Sequence, residues 1–173
     1  MFSATGVYVL RLTASDGELN SSDEVTITVN DEEPGEMITF LVRISSGSDD
    51  AEESTNGNVS LNSSDLELVS DGSGNQTVGL RFNRVNIPRG ATITNATVQF
   101  QVDERTSVPS ELILQAQAVD NAPAFSNSTG NISFRARTTS SVSWTPPAWN
   151  STGAAGPDQQ TPNIATVLQE VIN

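Results

Sequence analysis

Apolar and polar residues alternate one by one in this chain, in runs too short for anything but β-strands. Tyr8, Leu10, Leu12 and Ala14 share one face of the first run, and Val25, Ile27 and Val29 one face of the second. Ile38, Phe40, Val42 and Ile44 repeat the pattern, as do Leu66 with Leu68 and then Val78, Leu80 and Phe82. Ala96, Val98, Phe100 and Val102 predict a long strand, with Leu112, Leu114, Ala116 and Ala118 as its partner. Turn residues punctuate the runs, among them Ser15-Asp16-Gly17 and Asn86-Ile87-Pro88-Arg89-Gly90. A strand series of this kind predicts an all-β antiparallel sandwich. Near the C-terminus the period changes. Thr161 and Pro162 read as N-cap and first residue of a short helix, with Ile164, Val167, Leu168 and Val171 on its buried face.

Composition divides the chain and narrows its chemistry. Residues 1–30 read as a β-hairpin and 31–36, Asp31 to Glu36, as an acidic Pro/Gly linker. Residues 37–173 read as the sandwich. A lone hairpin is marginal in water, so residues 5–30 are expected to lie against the second domain or pair with another chain, a route to self-assembly. Twenty-one acidic residues face eight basic ones, all Arg, for a net charge of −13. A surface this negative disfavours nucleic acid and anionic polysaccharide. No apolar run is long enough to span a membrane. Cys and His are both absent, which removes disulfides, thiolate chemistry, the usual serine triad and most transition-metal sites. Eight of the fifteen Asn residues begin an N-x-S/T sequon, as expected of a glycosylated surface protein.

Carboxylates and aromatic rings remain as candidate functional groups. The polar stretch 45–58 reads as a loop carrying Asp49, Asp50, Glu52 and Glu53. With Asp65 and Glu67, these oxygens are the candidate ligands for Ca²⁺, which takes six to eight of them. The other reading of the same residues is a solvated acidic loop. Trp144 and Trp149 are the only tryptophans. An exposed indole can stack on a sugar, while a strand tryptophan such as Trp144 suits a core. Asp103-Glu104-Arg105 lacks the opposed carboxylates of a glycosidase, and no enzymatic activity is expected.

Two stretches resemble known extracellular modules. Residues 6–17, GVYVLRLTASDG, followed by 23–29, DEVTITV, look like the last two strands of a PKD-type or cadherin-like immunoglobulin fold. Residues 37–173 resemble the DNRLRE-type β-sandwiches related to carbohydrate-binding modules. The resemblance rests on Asp49-Asp50, on Val78-Gly79-Leu80-Arg81-Phe82 and on Val85 to Phe100. The N-Y-G element usual after the acidic pair of that family is absent. These resemblances imply a jelly-roll-like sandwich with one short C-terminal helix, preceded by an Ig-type hairpin and cut at both ends from a larger protein. They imply a non-catalytic extracellular or cell-surface module that binds a neutral glycan or another surface protein, with structural calcium. A structural spacer or filament subunit, assembling by strand pairing, is the alternative.

Overall fold

The computed structural model describes residues 6–15, 20–29, 35, 37–68, 70–72 and 74–173. The chain divides into two compact units, Met1–Phe40 and Leu41–Asn173. Its described sheets are antiparallel, and α1, Ala165–Ile172, is the one α-helix among the described residues. The fold is therefore all-β with a short C-terminal helix, and no helix is long and apolar enough to cross a membrane among the described residues.

The first unit is the predicted hairpin. Strand β1, Gly6–Ser15, pairs with β2, Asn20–Val29, from Gly6↔Val29 to Ser15↔Asn20. The register sets Tyr8 opposite Ile27 and Leu10 opposite Val25 on one face, as the alternation requires. The expected turn at 16–17 and the linker 31–36, apart from Gly35, lie outside the described residues.

The second unit is built on a four-stranded sheet of order β4-β3-β6-β5. Its strands are β3 (Asp50–Ser54), β4 (Val59–Ser60), β5 (Ser70–Asp71) and β6 (Gly74–Leu80). β3 lies inside the stretch expected to be a loop. Its central residues Ala51, Glu52 and Glu53 are all buried, because donors elsewhere in the unit satisfy the carboxylates. β6 also differs from expectation: its most buried position is Gly79, not Val78 or Leu80. Gly79 faces Ala51 across the sheet, and Phe125 and Ile132 pack over the pair. A Cβ at Gly79 would lie 2.6 Å from the Phe125 ring, so the ring's seat requires glycine. The expected strand at 38–44 forms no ladder among the described residues.

A second ladder joins β7, Leu112–Leu114, to β8, Val142–Trp144. It continues through the Gln117↔Arg137 bridge. The extended segment 96–102 does not pair with 112–118 as expected. It runs beside 153–164 instead. Phe100 N–H donates to Gln159 O (2.9 Å), Thr161 N–H to Val98 O (3.0 Å) and Ile164 N–H to Ala96 O (2.8 Å). This pairing uses Thr161. Its hydroxyl accepts Val98 N–H at 2.9 Å, so it does not cap the helix. The helix begins at Ala165, whose N–H is taken by Asn163 Oδ1 at 2.9 Å. Val167 is buried, while Leu168 and Val171 are half-buried.

Candidate functional site

The acidic residues of β3 separate by strand alternation. Asp49, Ala51 and Glu53 point to the face covered by Phe125 and Ile132, and Asp50 and Glu52 to the other. Asp49 is 3 % exposed and forms an ion pair with Arg81, with a further hydrogen bond from Asn83 Nδ2. Arg81 Nε also donates to Ala122 O at 2.7 Å. The side chain thus ties the sheet to the loop that delivers Phe125. Glu53 Oε2 accepts the N–H groups of Ile132 (2.7 Å) and Ser133 (3.0 Å). Burial pushes this carboxyl up, but the Ser133 and Ile132 hydrogen bonds outweigh it and hold the group below its ordinary value.

Glu52 meets Glu67 on the opposite face. Glu52 Oε1 accepts Glu67 N–H at 2.7 Å and Gln76 Nε2 at 3.1 Å, and Gln76 Nε2 lies 3.3 Å from Glu67 Oε2. Burial, with the hydrogen bond shared with Glu67, raises the Glu52 carboxyl to about 6. The same bond holds Glu67 low. Below about pH 6 the pair therefore holds one proton, carried by Glu52.

The six candidate calcium ligands consequently do not converge. Asp49 and Glu53 are bonded on one face, Glu52 and Glu67 on the other, and Asp65 accepts from Ser64 Oγ (3.1 Å). Asp50 sits opposite Leu80. Among the described residues no three carboxylates form a group able to hold a metal ion. Asp49, Glu52, Glu53 and Asp65 each accept a hydrogen bond from within the unit.

Stability should fall as pH rises through the Glu52 titration. The folded chain holds this proton more tightly than the unfolded one, so its stabilisation is complete below pH 4.5 and is lost as pH climbs through about 6. The loss should be about 1–2 kcal/mol. Glu52→Gln should remove it, because a carboxamide still accepts Glu67 N–H and donates to Glu67 Oε2. Urea unfolding across mildly acidic to neutral pH measures both proteins. Parallel profiles would refute the shared proton.

The two tryptophans do come together. Trp144, 6 % exposed, stacks on Phe100 with ring centroids 5.7 Å apart and planes 20° apart. Trp149 lies 6.4 Å from Trp144 and 6.3 Å from Phe100. Its backbone exchanges two hydrogen bonds with Thr106, and its indole N–H donates to Asp158 O at 3.0 Å. Trp149 is thus held in place while half-buried, and Trp144 backs it from the core.

Other organising residues carry no local sequence signal. Arg135 stacks 4.4 Å above the Phe125 ring and reaches Gln117, Asn131 and the carbonyls of Pro123 and Ala124. Glu170, on α1, accepts from the N–H groups of Thr139 (2.8 Å) and Ser140 (2.7 Å), and these bonds hold its carboxyl near 2. No family model matches the chain, and neither a curated protein nor a solved structure matches it significantly.

Proposed function

We propose that Leu41–Asn173 is a non-catalytic extracellular module of jelly-roll-like architecture that binds a neutral glycan through Trp149. The fixed indole of Trp149 carries this reading. A ring with its N–H satisfied by Asp158, clamped by Thr106 and backed by Phe100 and Trp144, loses little freedom when a sugar stacks on it. The net charge of −13 favours neutral over anionic glycans. The buried carboxylates are engaged in structural bonds, which supports binding over hydrolysis.

Affinity electrophoresis in gels containing neutral plant, fungal and bacterial polysaccharides tests the reading. The chain should be retarded by at least one, and Trp149→Ala should weaken that retardation by about tenfold or more. A thermal melt of the variant checks its fold. Equal retardation of variant and parent would sink the role of Trp149. Strand-mediated assembly is a second reading, supported by Val7, Val9, Leu10 and Val25, each at least 47 % exposed on the hairpin. A solution mass above that of one chain would favour it.

A further inference from the structure

We propose that the cleft between the β3–β6 sheet and the turn 128–134 is a second saccharide site, holding a neutral sugar ring against Phe134. The proposal rests on the reading of this unit as a glycan binder, and the site shares no residue with the Phe100–Trp144–Trp149 cluster.

The cleft measures about 380 Å³ and is lined in part by Glu53, Thr55, Asn75, Thr77, Ser133 and Phe134. That volume falls at the lower end of small-ligand pockets, about 300–1,000 Å³. Most of its lining residues are polar. Thr77 faces Glu53 across the sheet, with Asn75 and Thr55 beside them. Among the described residues, the side chains of Thr55, Asn75 and Thr77 make no hydrogen bond within the protein. Two hydroxyls and an amide are therefore available to a ligand. Glu53, buried at the back of the cleft, is bonded to the N–H groups of Ile132 and Ser133 and fixes the turn against the sheet. Sugar hydroxyls, each donor and acceptor at once, complement this set.

Phe134 supplies the other half of the recognition. It is 83 % exposed, although burying such a ring would stabilise the fold. The ring nevertheless has a neighbour. It rests on Gly130, where an added Cβ would lie 2.3 Å from a ring carbon, and Phe134 N–H donates to Gly130 O at 3.0 Å. Gly130 has φ +73°, which favours glycine independently. The 128–134 turn is in turn joined to the β3–β4 turn, where Gly130 N–H donates to Gly57 O at 2.9 Å. An aromatic face beside unpaired hydroxyl and amide groups matches a pyranose, which has one C–H face and a rim of hydroxyls.

Amide NMR spectra of the ¹⁵N-labelled chain, titrated separately with D-glucose, D-galactose, D-mannose and N-acetyl-D-glucosamine, test the proposal. At least one sugar should shift the Thr77, Ser133 and Phe134 amides saturably. Phe134→Ala should weaken that binding by about tenfold, equivalent to about 1.4 kcal/mol. Because Phe134 is so exposed, the variant's spectrum should otherwise keep the parent pattern. Thr77→Val, which removes one hydroxyl and keeps the shape, should also weaken binding. Shifts confined to the surroundings of Trp149, or undiminished affinity in Phe134→Ala, would overturn the cleft and leave the Trp149 reading standing. No shift with any of the sugars, together with no retardation by any polysaccharide, would overturn both.

Discussion

Replacing Arg81 by Met should destabilise the second unit by about 3 kcal/mol. Asp49, 3 % exposed, faces Arg81 at the end of the sheet. Met keeps much of the aliphatic stem and removes the charge. A carboxylate would then remain in a site that excludes water, with Asn83 as its remaining side-chain donor. Breaking one side of a buried pair costs about 3–5 kcal/mol, much of it the penalty of the abandoned charge. The lower end applies because the Arg81 side chain is 26 % exposed. Loss of the 2.7 Å bond to Ala122 O should also loosen the loop that carries Phe125. Urea unfolding of Arg81→Met, Asp49→Asn and the double variant separates the contributions. The double variant should be more stable than Arg81→Met alone, since its buried group is neutral. If Arg81→Met loses less than about 1 kcal/mol, burial of the Asp49 charge does not govern this end of the sheet.

The difficulty of reading β3 from sequence has the same physical origin. Asp49-Asp50-Ala51-Glu52-Glu53 has no apolar period, and its four acidic residues ordinarily face water. They form a buried strand because Arg81, Asn83, Gln76 and the amides of Ile132 and Ser133 arrive from positions 24 to 80 residues away. Nothing local announces those partners. Where the pattern is apolar, alternation suffices to place the elements: β1, β2, β7 and the face of α1 lie where the periodicity puts them, although Leu10 and Val25 stay exposed on the hairpin. Pairing is a different matter. Periodicity shows that Ala96, Val98, Phe100 and Val102 share a face, but not which segment bonds them. Short connections favour the nearer run 112–118. The chain instead bonds Val98 to Thr161, 63 residues on, and spends the predicted helix cap in doing so. The site residues divide likewise. Trp144 and Trp149 stand out as the only tryptophans. Phe134 gains its setting from Gly130, Thr77 and Glu53, which only the fold assembles.

Trp144→Ala should cost about 3–5 kcal/mol and should disturb Trp149 along with the core. Trp144 is 6 % exposed, on the β8 strand opposite Leu112. Truncation removes an entire indole from a packed site, leaving a cavity that rigid neighbours fill only in part. The neighbours concerned are Phe100, stacked 5.7 Å away, and Trp149, 6.4 Å away. Phe100 belongs to the segment whose N–H bonds Gln159, and Trp149 bonds Thr106 and Asp158. The indole therefore sits where segments distant in sequence meet, and its loss should lower the unfolding midpoint strongly. Trp144→Phe retains a ring for the Phe100 stack and should recover most of that loss. Fluorescence gives a second readout, because Trp149 is the sole remaining tryptophan in either variant. In Trp144→Ala its emission should move to longer wavelength as its backing disappears, whereas in Trp144→Phe it should stay near the parent. If Trp144→Ala lowers stability strongly but leaves both the Trp149 emission and polysaccharide retardation unchanged, then Trp144 packs the core without positioning the surface ring. If both move together, the core tryptophan is what keeps the half-buried one ready to bind.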